Sequence, residues 1–248
     1  MEKLEKLIHY LAPDLDFPQT EDEQEWALRA LMNLWEPKVM PAEFWSLQDA
    51  YLQETLAQKR VTGLSDLQEV EPQIYLWQGD ITSLEVDAIV NAANSQLLGC
   101  FVPHHHCIDN AIHSQAGLQL RLACYQLMKT QGHLEATGQA KITPAYNLPA
   151  KYIIHTVGPI IQAEVSPQDE ALLASSYQKS LVVAVENGLT SIAFCCISTG
   201  EFRFPNQLAA EIAVKTVRSF IKKHPNIRVV FNVFKDLDRE IYQELLQR

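Results

Sequence analysis

Positive charge is in short supply along this chain: 20 Lys and Arg side chains stand against 30 Asp and Glu, a formal net charge of −10. A general nucleic-acid binder neutralises phosphates with Lys and Arg, so this balance argues against that class while leaving room for one nucleotide held by backbone amides. The deficit is local. Residues 1–70 carry 6 basic and 14 acidic side chains, net −8, which leaves −2 for residues 71–248. Glycine is nearly missing from the same segment, Gly63 being its single example. Met1 to Leu11 has no uninterrupted apolar core, so neither a signal peptide nor a membrane span is expected there. Five cysteines are an odd number and too few for a secreted disulfide scaffold, which points to a reducing cytoplasm. Internal repeats and low-complexity tracts are also missing, and a hydrophobic content of 47% is ordinary for a packed globule.

Two kinds of periodicity divide the chain near residue 70. Before it, apolar residues recur at helical spacing in three groups: Leu4, Leu7, Ile8 and Leu11; Leu28, Leu31, Met32 and Trp35; Phe44, Leu47, Tyr51, Leu52 and Leu56. Pro13, Pro18, Pro37 and Pro41 fall between the groups, and the acidic run Glu21 to Glu25 suits the positive end of a helix dipole. Three helices are expected over residues 1–70, an extension packed on the following domain, with Trp26, Trp35, Phe44 and Trp45 covering its surface. From Ile74 onward short β-rich runs alternate with helical ones. Strands are expected at Ile74–Trp77, Ala88–Asn91, Ala140–Tyr146, Tyr152–Val157, Ser191–Ile197 and Ile227–Val233, and helices at about 108–126, 168–187, 206–223 and 237–247. Several strands are apolar on both faces, as strands covered by helices on two sides must be. Residues 71–248 therefore read as a three-layer α/β/α domain.

The densest chemistry lies in Gly99-Cys100-Phe101-Val102-Pro103-His104-His105-His106-Cys107-Ile108-Asp109, between the run Ala88 to Asn91 and a helical pattern. Cys100, His105 and Cys107 have the spacing C-x4-H-x-C, and two thiolates with one imidazole suit zinc. Three ligands on one loop leave a tetrahedral position open, as catalytic rather than structural zinc sites do. His104 or His106 can replace His105 if the loop turns differently. Cys124, Cys195 and Cys196 lie in apolar runs, and no second metal set is legible, so one zinc per chain is expected.

Other loops follow strand ends. Asp80, after Gln78-Gly79, can accept from an exocyclic amine such as that of adenine while the Ile81 amide addresses a ring nitrogen, or it can simply cap the next turn. Ser198-Thr199-Gly200-Glu201-Phe202 can turn its amides toward a diphosphate, as can the helix start at Ile108 and Asp109. Asn94 reads either as turn chemistry or as a polar contact to a sugar. Asp109 reads as a helix N-cap, as a carboxylate serving substrate or water, or as both. His113, His133, Glu135 and His155 read as structural.

Taken together, Gln78-Gly79-Asp80-Ile81-Thr82, Val86-Asp87-Ala88-Ile89-Val90-Asn91-Ala92-Ala93-Asn94, Ile108-Asp109-Asn110-Ala111-Ile112-His113 and Ile197-Ser198-Thr199-Gly200-Glu201-Phe202 resemble the macrodomain family. The cysteine and histidine loop stands where that family usually has a glycine-rich one. This is similar to the zinc-dependent microbial branch, whose members carry a helical N-terminal extension. The resemblance implies a mixed central sheet and a protein ADP-ribose hydrolase that removes mono-ADP-ribose from modified side chains, with acidic linkages expected. Asp80 and Ile81 would then read adenine, while Cys107, Ile108, Asp109 and Ser198 to Phe202 contact the ligand. Asn94 and Asp109 would serve the distal ribose beside a zinc held by Cys100, His105 and Cys107. The expected partners are ADP-ribose and mono-ADP-ribosylated protein, with no membrane. The alternatives are a non-catalytic ADP-ribose reader and a hydrolase of a small ADP-ribose ester.

Overall fold

The computed structural model describes residues 2–247. Its first part is three helices, α1 (Glu2–Leu11), α2 (Glu21–Leu34) and α3 (Ala42–Ala57). Thr20 begins α2 with a capping box, its hydroxyl accepting from the Glu23 amide while the Glu23 carboxylate accepts from the Thr20 amide, and Glu21, Asp22 and Glu23 fill the first turn. The three helices share a core of Leu7, Ile8, Leu28, Met32, Trp35 and Phe44, closed by Leu118 from the domain behind. Trp26 lies outside that core. It stays 64% exposed, because its ring stacks on His104 rather than entering that core.

The remaining elements are β1 (Thr62–Gly63), β2 (Glu69–Glu71), β3 (Ile74–Gln78), β4 (Leu84–Glu85), β5 (Ala88–Ala92), α4 (Ile108–Ala116), α5 (Leu118–Gln131), β6 (Ala140–Pro144), β7 (Tyr152–Thr156), α6 (Pro167–Glu186), β8 (Ser191–Phe194), α7 (Asn206–Ile221), β9 (Arg228–Val233) and α8 (Asp236–Leu246). Seven strands form one mixed sheet in the order β2-β3-β9-β8-β5-β7-β6. The five central strands run parallel, while β2 and β6 are antiparallel edges. Helices flank the sheet and cover its central strands, so that Ile89, Val90, Ile153, Ile154, Val229 and Val230 are wholly buried. The short pair β1 and β4 lies apart.

Sequence and structure differ where a strand is short or a helix is broken. β1, β2 and β4 carry too few residues for an apolar alternation, and β2 is Glu-Val-Glu at an exposed edge. The helical pattern at 108–126 is two helices. Gly117, at φ +96°, ends α4 and begins α5, a conformation that glycine adopts at little steric cost. The run Ser191–Ile197 leaves the sheet after Phe194, which turns Cys195 and Cys196 into the space beyond the strand ends. Among the described residues no helix is long and apolar enough to cross a membrane.

Candidate active site

Parallel strands of an open sheet gather their following loops at one edge, and ligands bind there. The loops after β3, β5, β8 and β9 line one cleft of about 740 Å³. The residues assigned to the site from sequence lie along it: Asp80 and Ile81, Asn94, Cys100, His105, Cys107, Ile108 and Asp109, and Ser198 to Phe202, whereas the alternative ligand His104 does not. His106, the alternative imidazole, lines it as well, and Gln96, Phe101, Cys195, Cys196, Asn232, Phe234, Lys235 and Asp238 line it without having been assigned to the site from sequence. Most of them lie just beyond a strand's C-terminal end or within the cysteine and histidine loop, while Asn232 is in β9 and Asp238 in the first turn of α8. Phe234 follows β9 directly and is 75% exposed.

At one end of the cleft Asp80 caps a short 3-10 turn. Its Oδ1 accepts from the Thr82 amide at 3.0 Å and the Thr82 hydroxyl at 2.6 Å, and its Oδ2 accepts from Lys59 Nζ at 3.2 Å. The turn-capping alternative is thus present in fact. Burial alone would raise the Asp80 pKa, but Thr82 and Lys59 outweigh it and the carboxyl falls below its usual range.

At the other end the candidate ligand atoms of Cys100, His105 and Cys107 lie within 4.8 Å of one another, and His105 Nδ1 is buried with no hydrogen-bond partner. The residues fit a zinc ion: two thiols and an imidazole converge, and a buried nitrogen lacks a partner. Burial, with Cys100 and Asp109 beside it, pushes the Cys107 thiol up to about 12, a bias that a bound dication reverses. His105 Nε2 also lies 3.7 Å from Glu201 Oε1, which brings the cysteine and histidine loop against the Ser198 to Phe202 loop. Among the described residues the amides of Gly200, Glu201 and Phe202 take no backbone acceptor. Ser198 holds φ +66° and its buried Oγ has no partner.

Asp109 is buried beside the cysteine and histidine loop but is not the N-cap of α4. Cys107 occupies that position, its Sγ accepting from the Asn110 amide at 3.4 Å, because the chain is still extended there and turns helical only at Ile108. Asp109 instead accepts from Asn91 Nδ2 at 2.8 Å and from Asn94 Nδ2 at 3.4 Å. Burial raises its pKa to about 6, against the opposing pull of Asn91 and Arg121. Asn94 Oδ1 accepts from the Gln96 amide, and its Nδ2 also donates to the Gly99 carbonyl. It does turn chemistry and faces the cleft at once.

Behind Asp109 lies a second grouping of metal-capable side chains, His113, Cys124 and His155, all buried. It corrects the expectation of a single set, and it escaped notice because its members come from α4, α5 and β7. Hydrogen bonds hold His155, whereas both ring nitrogens of His113 are buried with no hydrogen-bond partner. His155 Nδ1 faces Asn91 Nδ2 at 3.2 Å and its Nε2 faces Thr143 Oγ1 at 2.9 Å, while burial drives its pKa down to about 3 and pushes the Cys124 thiol up to about 12. His113 Nε2 stands 3.5 Å from Asp109 Oδ1. The group is a neutral platform beneath Asn91 and Asp109.

The Macro domain family model matches residues 90–213, and a Treponema medium "Protein-ADP-ribose hydrolase" is 52% identical over 97% of this chain and 96% of its own length. The chain belongs to the macrodomain family. A Staphylococcus aureus "Protein-ADP-ribose hydrolase" is 50% identical over 91% of this chain and 86% of its own length. Among solved structures, a Trypanosoma brucei macrodomain in complex with ADP-ribose superposes with a TM-score of 0.69 at 30% identity, covering 88% of this chain and 94% of that one. An Oceanobacillus iheyensis macrodomain variant with ADPR gives 0.66 at 36% identity, covering 73% and 96%.

Proposed function

We propose that this macrodomain is a zinc-dependent hydrolase that removes mono-ADP-ribose from modified proteins, acting on acidic side-chain linkages. Relatives of about 50% identity bear the name protein-ADP-ribose hydrolase along nearly their whole length. The observation that carries the finer reading is the meeting, at one end of a single cleft, of Cys100, His105 and Cys107 with Asn94 and Asp109. Asp80 and the Ile81 amide hold adenine at the far end, and the amides of Gly200 to Phe202 with the α4 N-terminus hold the diphosphate, so the distal ribose falls beside Asp109. Zinc, when bound, supplies Lewis-acid chemistry at the ribose or its linked oxygen. Asn94 orients the distal ribose. Asp109, whose pKa burial raises to about 6 and whose side chain Asn91 fixes, takes or gives a proton near the anomeric carbon, where positive charge develops as the bond breaks. Five free cysteines, two of them ligands, suit a reducing cytoplasm.

The test is single-turnover release of ADP-ribose from protein modified on Glu or Asp, with and without chelator, beside elemental analysis. One zinc per chain and chelator-sensitive release are expected. Zinc near zero in protein purified without chelator contradicts the metal, and release from Ser-linked but not Glu- or Asp-linked protein contradicts the linkage.

A further inference from the structure

The α2 helix touches the cysteine and histidine loop directly at His104, and reaches the neighbourhood of Cys100 and Cys107 through Arg121 of α5 and Asn110 of α4. Arg121 of α5 is 2% exposed, and its Nη1 donates to the carbonyls of Met32, Asn33 and Trp35 at 3.1, 2.8 and 2.7 Å. Such carbonyls at a helix C-terminus lack intrahelical partners and attract a cation. The same guanidinium lies 4.3 Å from the centre of the Phe101 ring, next in sequence to Cys100. Asn33 Oδ1 accepts from the His104 amide at 3.0 Å, and its Nδ2 donates to Ser114 Oγ on α4 at 2.9 Å. His104 precedes the ligand His105 and sits at φ +55°, a region costly for a residue with a Cβ. Its ring is stacked on Trp26, centroids 3.3 Å apart and planes within 8°. Arg29 Nη2 donates to Asn110 Oδ1 at 3.2 Å. Asn110 in turn gives its amide to Cys107 Sγ at 3.4 Å and its Nδ2 to the Val102 carbonyl at 3.0 Å.

We propose that α2 is a built-in clamp for the metal loop, with Trp26, Arg29 and Asn33 acting as positioning residues that hold Cys100, His105 and Cys107 in ligating register. The inference rests on the reading that this loop binds zinc, and it assigns the helical extension a part in the site rather than in folding alone. The side chains next to a metal's ligands set their orientation, and losing one commonly weakens binding by about 10- to 100-fold. Trp26 is the informative position, since its exposed ring contributes little to either core.

The experiment uses the full chain loaded with zinc and measures metal release to an excess of chromophoric chelator for wild type, Trp26→Ala, Trp26→Phe and Arg29→Gln. Cobalt-substituted samples report thiolate-to-metal absorption, and thermal melting reports the fold. Trp26→Ala and Arg29→Gln are expected to release zinc about tenfold faster at near wild-type melting temperature, with an altered cobalt spectrum. Trp26→Phe, which keeps a ring on His104, restores the wild-type rate. Wild-type release rates and cobalt spectra in both Trp26→Ala and Arg29→Gln overturn the clamp while leaving the zinc reading intact. Wild-type protein that takes up no zinc overturns both.

Discussion

Asp80 meets two demands at one carboxylate: it caps the turn through Thr82 and pairs with Lys59, yet lines the cleft where adenine is proposed to sit. Asp80→Ala should lower ADP-ribose affinity by about 1 kcal/mol, rising toward about 3 if the exocyclic amine is left unpaired. Calorimetry with ribose 5-phosphate is the control, and equal losses for both ligands would show that Asp80 does not read adenine. The metal loop yields a second expectation. Cys100→Ala, His105→Ala and Cys107→Ala should each lose zinc on elemental analysis, whereas His106→Ala should keep it. Metal retained in His105→Ala but absent from His106→Ala would mean that the wrong imidazole was chosen. These residues were legible because they are close in sequence and their chemistry is shared by few other arrangements. His113, Cys124 and His155 were not, since three different elements bring them together, and the stacking of Trp26 on His104 was not, because periodicity cannot show which ring a neighbouring loop will offer.

Among the elements, the join between α4 and α5 decides where the cleft's acid stands, because α4 carries Asp109 and α5 carries Arg121. A Cβ at Gly117 would lie 2.7 Å from Gln119 Oε1 and 2.8 Å from Gln48 Nε2, in a backbone at φ +96°. Gly132 also has positive φ, but a Cβ there meets nothing within 4 Å. Gly117→Ala should therefore destabilise the protein by about 2 kcal/mol or more and Gly132→Ala by about 1 kcal/mol, as read by urea denaturation. Equal losses would mean that the crowding at Gly117 relaxes freely. The longer helices and the six main strands were recoverable from apolar spacing, since burial on one face of a helix or both faces of a strand leaves a period in the sequence. The break at Gly117 hid inside a pattern whose period runs on across it. The edge strand β2 and the pair β1 and β4 hid because strands of two or three residues leave no period.

At the scale of the whole molecule, buried neutral histidine ties stability to pH. His155 has its pKa driven down to about 3 by burial, so between that value and about 6.5 the unfolded chain binds a proton that the folded one refuses. Stability therefore falls as pH falls through this window. Asp109, raised to about 6, acts with the opposite sign and is common to any variant of His155. Between about pH 7.5 and pH 5.5 wild type should lose about 1.4 kcal/mol more than His155→Gln does. Identical pH slopes would place a protonated or exposed histidine at this position. The central claim is a division of labour within the cleft: adenine and diphosphate contacts persist from ground state to transition state, whereas zinc and Asp109 act on charge that develops only as the bond breaks. Its most direct test measures ADP-ribose affinity and single-turnover release on the same folded samples, stripped of metal and then restored with zinc. The account predicts that stripping abolishes release, leaves most of the affinity and is reversed by zinc. Full release by folded, metal-free protein would contradict it.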